Sequence, residues 1–175
     1  MQLNVLRELR ERVGSVSVYD IQEQLVRLDD VELQGVTGAL TLLRTDMGLL
    51  ASFAAGSTIQ ENCSRCLRQV HCALDITFEE EYIPVVDAET GARLLGNDSE
   101  EQFSIGPDFL LDLREGLRQY VLMSEPTKPL CRPDCAGLCA TCGAELNGAQ
   151  CTCTPATDER LETLEGLEMD TGKGS

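Results

Sequence analysis

The chain has 175 residues and a formal net charge of -16, from thirty acidic against fourteen basic side chains. Apolar residues make up 42% of it but aromatics only 4%, and tryptophan is absent, so the length suits one domain, or one with a small appendage, whose core is mainly aliphatic. A surface this acidic repels phosphate, which disfavours direct binding to nucleic acid and favours basic protein partners and metal cations.

The opening stretch MQLNVLRELRERVGS has charges in every apolar run and does not read as a signal peptide. No segment approaches the ~20 apolar residues that span a bilayer. The expectation is a soluble, cytoplasmic protein. Within the first thirty residues LNVLREL fits a strand or a short helical turn, and SVYDIQEQLVRL offers Ser17 or Asp20 as helix caps with weak periodicity. From Val31 to Val86 the pattern is β. RTDMG between LTLL and LLASF predicts a hairpin connection in which Gly48 is free to take positive φ. A second hairpin, tipped by CSRC, joins STIQEN to RQVHCALDITFEEEYIPV. In that last strand Val70, Cys72, Leu74, Ile76 and Phe78 fall on one face and His71, Ala73, Asp75, Thr77 and Glu79 on the other.

Residues 87–106 are acidic and loop-like, and the run DSEE reads as a solvated loop. PDFLLDLREGLRQYVLMSEP predicts a helix, with Leu110, Leu113, Leu117, Tyr120 and Val121 as its apolar stripe. Asp108 is its cap, Pro126 its end, and Gly116 weakens it by ~1 kcal/mol relative to alanine. TPATDERLETLEGL predicts a short last helix and MDTGKGS a disordered tail. The expected fold is α+β: an antiparallel β meander packed by one main helix, with a C-terminal cysteine-rich zinc-knuckle segment. The expected boundaries are 1–126 for the α+β body, 127–168 for the metal-binding segment with its terminal helix, and 169–175 for the tail.

Nine cysteines carry the chemistry. A reducing compartment disfavours structural disulfides, and close C-x-x-C spacing points to metal. Cys72 lies on the apolar face of its strand and reads as a small core hydrophobe. His71 lies on the wet face and reads as a solvated histidine. Eight thiols remain, enough for two tetrahedral Cys₄ zinc sites with Zn–S near ~2.3 Å. Cys139 and Cys142, followed by Gly143, form a chelating turn, and the Asn147-Gly148 turn returns Cys151 and Cys153 to it. Counting then pairs Cys63 and Cys66 with Cys131 and Cys135, although other partitions satisfy the same count, and CSRC is also readable as a metal-free turn. The segment has few apolar residues, so metal would supply its folding free energy, on the order of 10 kcal/mol or more in small zinc modules. With one histidine, no phosphate loop and no nucleophile elbow, no catalytic constellation competes, and the expectation is a protein that is not an enzyme.

The pieces NCSRCLRQV, FLLDLREGLRQYVLMSEPTKPLC, CRPDCAGLCATCGAELN with CTC, and TDERLETL resemble the YceD family, the large ribosomal RNA subunit accumulation proteins, over roughly residues 30–168. That resemblance implies ribosome biogenesis, through accumulation of large-subunit (23S) ribosomal RNA. Taken with the charge, it suggests an accessory factor that binds a basic protein, such as a ribosomal protein or pre-ribosomal particle. A local RNA contact through Arg65 and Arg68 is the exception to the charge argument. The rival readings are a zinc–thiolate redox switch or redox-controlled chaperone, and an electron carrier with Cys₄-bound iron.

Overall fold

The computed structural model describes residues 1–94 and 103–154. Its elements in chain order are β1 (Gln2–Asn4), α1 (Leu6–Arg10), β2 (Val16–Arg27), β3 (Glu32–Arg44), β4 (Leu49–Asn62), β5 (Gln69–Pro84), β6 (Ser104–Ile105), β7 (Leu110–Asp112) and α2 (Arg114–Ser124). Strands β2 to β5 make an antiparallel meander. β6 adds parallel to the end of β5, and β1 pairs with β7 in a separate two-stranded ladder. The longer helix, α2, packs on β5. The expected sheet under one main helix is therefore present.

Alternation fixes which face is covered. Cross-strand rows such as Tyr19–Leu40–Phe53–Phe78 and Ile21–Gly38–Ala55–Ile76 point to the core. Leu40, Phe53 and Ile76 are at most 2% exposed, and each such buried side chain contributes ~1.5–3 kcal/mol. The few aromatics gather here. Phe53 stacks on Phe78 at 5.0 Å and Phe78 on Tyr120 of α2 at 5.1 Å, which locks the helix to the sheet. Tyr120 Oη then donates to the Glu80 carboxylate at 2.7 Å. The predicted face of β5 is borne out: Leu74, Ile76 and Phe78 are buried, Cys72 is half-buried against the core, and His71, Asp75 and Glu79 are exposed.

Among the described residues, nothing covers the other face of the meander between the Gln34/Thr37 irregularity and the β3–β4 turn. Its middle is small, with Ala39, Ala54 and Gly56. Val16, Val18, Leu43 and Leu50 form one apolar corner. Asp20 on β2 and Asp75, Glu79 and Glu81 on β5 flank it, and among the described residues no lysine or arginine occupies this face.

Several local expectations need correction. The β3–β4 hairpin forms, but Gly48 does not take positive φ. Glycine is required there because a Cβ would lie 2.1 Å from the Tyr82 carbonyl oxygen. Ser17 and Asp20 cap nothing, because both lie within β2. LNVLREL supplies both a strand and a helix, β1 and then α1. The main helix starts at Arg114, not near Asp108, and Leu110 belongs to β7. The reason is tertiary: Leu110–Asp112 pairs with Asn4–Gln2, and Phe109 at φ 57° turns the chain out of any helix. Asp108 accepts the Leu110 N–H instead, at 3.3 Å. Gly116 has a packing role, since a Cβ would lie 3.0 Å from Tyr82 Oη. The helix does stop at Ser124, before Pro126. The acidic run 98–101, the last helix beyond residue 154 and the tail lie outside the described residues. Among the described residues, no helix is long and apolar enough to cross a membrane.

Asp112 joins β7 to α2. It accepts the Arg114 N–H at 3.0 Å, holds the Arg114 guanidinium through both oxygens, and accepts the Gln2 amide at 2.9 Å. The Arg114 guanidinium, then the Arg114 N–H and Gln2, hold this carboxyl far below the usual carboxylate range, against the opposing effect of burial. Replacing Asp112 with alanine should cost about 1 kcal/mol, as the loss of a helix-capping group does. A depressed folded pKa stabilises above the unfolded value, ~3.9 for aspartate, and that contribution disappears as pH falls below it. Chemical denaturation at several pH values should therefore show the two proteins converging in acid. A gap that persists undiminished at pH 2 would contradict this role.

Candidate metal centres

The chain folds into two C-x-x-C turns of the same backbone geometry. In the first, which closes the β4–β5 hairpin, Cys63 N–H donates to Arg68 O at 2.8 Å and Leu67 N–H to Cys63 O at 2.9 Å. In the second, Cys139 N–H donates to Ala144 O at 2.8 Å and Gly143 N–H to Cys139 O at 2.8 Å. The residue after the second cysteine takes the left-handed conformation in both, with φ 60° at Leu67 and φ 72° at Gly143. Glycine accepts that conformation freely, whereas leucine pays roughly 1–2 kcal/mol.

The eight non-strand cysteines gather in two groups of four, Cys63/Cys66/Cys131/Cys135 and Cys139/Cys142/Cys151/Cys153, with the sulfurs of each group within 4.8 Å of one another. This is the partition that counting suggested. Cys72 and His71 stand outside both groups. In the first group Cys63 Sγ lies 3.8 Å from Cys135 Sγ and Cys66 Sγ lies 3.6 Å from Cys131 Sγ. Four ligands at ~2.3 Å around a tetrahedral metal stand ~3.8 Å apart, while a disulfide needs ~2.05 Å. These two separations are opposite edges of such a tetrahedron, so the sulfurs fit one thiophilic ion.

Their surroundings suit thiolates. The backbone N–H of Cys66, with those of Arg65 and Cys131, holds the Cys63 thiol down at about 6, against the burial that raises it. Burial and the neighbouring thiols push Cys131 up to about 12. The Asn147 amide, Nδ2 to Sγ 3.3 Å, lowers Cys135. In the second group the N–H groups of Cys142 and Thr141 lower Cys139 to about 6. Four crowded thiols that split in this way cannot all ionise alone, and a divalent cation removes the conflict.

Burial distinguishes the groups. Cys63 and Cys135 are at most 1% exposed, and Leu130, Leu138 and Val70 pack around them. In the second group Cys142 is exposed and the other three half-buried.

Three neighbours were not legible as such. Arg65 and Arg68, read in sequence as a free basic spot, are engaged: the Arg65 guanidinium donates to Cys135 O at 2.7 Å and Arg68 pairs with the Glu145 carboxylate. Asn147 carried only a turn signal in the sequence.

A family model described as Large ribosomal RNA subunit accumulation protein YceD matches residues 51–168, more than half of the chain. The chain belongs to the YceD family. It is similar to the chloroplastic Large ribosomal RNA subunit accumulation protein YCED homolog 1 of Zea mays, at 26% identity over 77% of this chain and 41% of that protein. It is also similar to uncharacterized proteins of Mycobacterium leprae, 31% identical over 56% of this chain and 42% of that one, and of Mycobacterium bovis, 30% identical over 72% and 59%. The chain thus spans between about two-fifths and three-fifths of the length of these relatives. No solved structure matches it. The matched region contains the two cysteine groups and β5, and excludes β1, α1, β2 and β3.

With Cys72 outside both groups, Cys72→Val should leave the bound-metal content unchanged and cost less than about 1.5 kcal/mol, as volume-conserving core swaps do. Loss of an ion from this variant, measured by elemental analysis, would make Cys72 a ligand.

Proposed function

We propose that this YceD-family protein is a non-enzymatic accessory factor of ribosome biogenesis. It supports accumulation of large-subunit (23S) ribosomal RNA, works in the cytoplasm, carries two structural zinc ions in zinc-knuckle turns, and acts by holding a basic protein of the large subunit or its precursor. The observation that carries the process is the family match over residues 51–168, together with the printed name of the maize relative.

Zinc is favoured because all-thiolate tetrahedral sites are closed and soft, which suits a structural ion and leaves no open position for catalysis. Iron would fit the same thiols but would colour the protein. A protein partner is favoured over RNA by the -16 charge and by that sheet face, where Asp20, Asp75, Glu79 and Glu81 stand without any lysine or arginine among the described residues. Arg65 and Arg68, the local basic spot that RNA would use, are already paired with the Cys135 carbonyl and the Glu145 carboxylate, which weighs against RNA. The exposure of Cys142 favours a second reading, an oxidant-sensitive zinc centre at Cys139/Cys142/Cys151/Cys153. Thiol counts before and after peroxide test it.

Elemental analysis of the purified, colourless protein should read two zinc ions per chain, and one or none would remove the two-centre reading. Cells lacking the protein should under-accumulate large-subunit RNA, and the intact gene should restore it. The triple variant Asp75→Lys, Glu79→Lys, Glu81→Lys should keep both ions yet fail to restore that RNA or to retain a basic large-subunit protein after ribonuclease treatment. Retention by the unaltered protein should weaken as salt rises, because exposed charges are screened beyond ~8 Å at physiological ionic strength. RNA binding by the isolated protein at moderate salt would overturn the protein-partner reading.

A further inference from the structure

The two cysteine groups are not independent modules. Residues 143–150, the loop that closes the second group between Cys142 and Cys151, reach back into the first. Asn147 is the centre of that contact. Its Nδ2 donates to the Cys135 sulfur at 3.3 Å. Its Oδ1 accepts the Ala136 N–H at 2.8 Å and the Arg132 guanidinium at 2.9 Å, both beside Cys131 and Cys135. The rest of the loop reinforces the grip: Leu146 N–H donates to Gly137 O at 2.9 Å, Glu145 bridges Leu138, and its carboxylate pairs with Arg68 of the first turn.

A thiolate that ligates a metal keeps excess negative charge, and an amide donor aimed at it both fixes its direction and spreads that charge. Outer partners of this kind typically change metal affinity 10–100-fold. Here the partner is supplied by a loop whose two ends are tied down by the other group's ligands. The loop has no apolar anchor among the buried core residues, so only the polar contacts above and its flanking cysteines fix its position.

We propose that Asn147 couples the two centres: an ion held by Cys139, Cys142, Cys151 and Cys153 fixes the 143–150 loop, the loop holds the Asn147 amide on Cys135, and filling the second centre thereby raises the affinity of the first. The coupling is reciprocal, so a filled first centre tightens the second by the same factor. It rests on the reading of both groups as metal centres. Because the second centre is the more exposed, a chelator empties it first, and the buried centre then loosens. Asn147 is a positioning residue in this scheme, not a ligand.

The test uses the full chain with cobalt(II) as the visible probe and zinc as its competitor, which gives the affinity of each centre. C151S/C153S, which removes the second centre, should lower the zinc affinity of the first about 10–100-fold. Asn147→Ala should lower it similarly while the second centre still fills. The triple variant should fall no further than the larger of the two. An unchanged first-centre affinity in C151S/C153S, or a triple variant that falls by the product of the two effects, overturns the coupling. The unaltered protein gives a second readout that needs no variant. Iodoacetamide labelling of Cys63, Cys66, Cys131 and Cys135 should accelerate once sub-stoichiometric chelator has emptied the second centre. Labelling that does not change overturns the proposal. Two tightly held ions with independent affinities defeat the coupling alone, whereas a chain that takes up no ion defeats the metal reading and the coupling with it.

Discussion

Four sulfurs from two distant stretches of chain meet at tetrahedral spacing, and the attachment of residues 125–154 depends on that meeting. Among the described residues, the region after Ser124 adds no strand ladder to the sheet. Its described contacts with the body are single bonds, such as Ser64 N–H to Pro129 O at 2.8 Å and Arg65 to Cys135 O. Its apolar support is Leu130, Leu138 and Val70 around the sulfurs themselves. Contacts this sparse would not hold thirty residues against their conformational entropy, which runs to ~1–2 kcal/mol per residue for the backbone. An ion bound by thiolates supplies a term of the necessary size.

The body is built on the opposite principle. It uses an aliphatic sheet face, a short aromatic stack and one helix, all held by area removed from water. The two halves meet at the tip of the β4–β5 hairpin, where strand pairing runs to Asn62↔Gln69 and gives way at once to Cys63. The longest ladder of the molecule thus ends in a chelating turn. Slipping that ladder by one residue would exchange the core and solvent faces of β5 and misplace both thiols. Register and ligand geometry support one another. The uncovered face, by contrast, contributes little to packing and is free to carry charge.

Much of this was written plainly in the sequence. The alternation gave the buried face of β5 from Leu74 to Phe78, and the same parity placed Cys72 half-buried against the core, leaving eight thiols to divide. The C-x-x-C spacings marked both turns. What the sequence hid were non-local pairings. FLLDL fits a helical stripe and a short strand equally well, and only its partner β1, some 110 residues earlier at Gln2–Asp112, decides for strand. β2 has apolar residues on both faces, Val16 and Val18 against Tyr19 and Ile21, so its own periodicity was blurred. Leu67 gave no sign of a left-handed backbone, because the residue usual there is glycine. Asn147 advertised a turn, and its second use, as donor to a sulfur twelve positions back, depends on how two loops are set against each other.

The separation of the first group's ligands has a consequence for the order in which the molecule is completed. Cys66 and Cys131 are 65 residues apart, and closing a loop of that length costs on the order of 4 kcal/mol, less than a bound ion returns. Chains emerge from synthesis with the N-terminal part first. The meander and its half-built chelating turn therefore exist before the second pair of thiols is available. Until Cys131 and Cys135 arrive, the hairpin tip offers two thiols and no closed coordination shell. On the metal reading proposed above, ion capture would be the last long-range event of folding, open only to a chain made past residue 135.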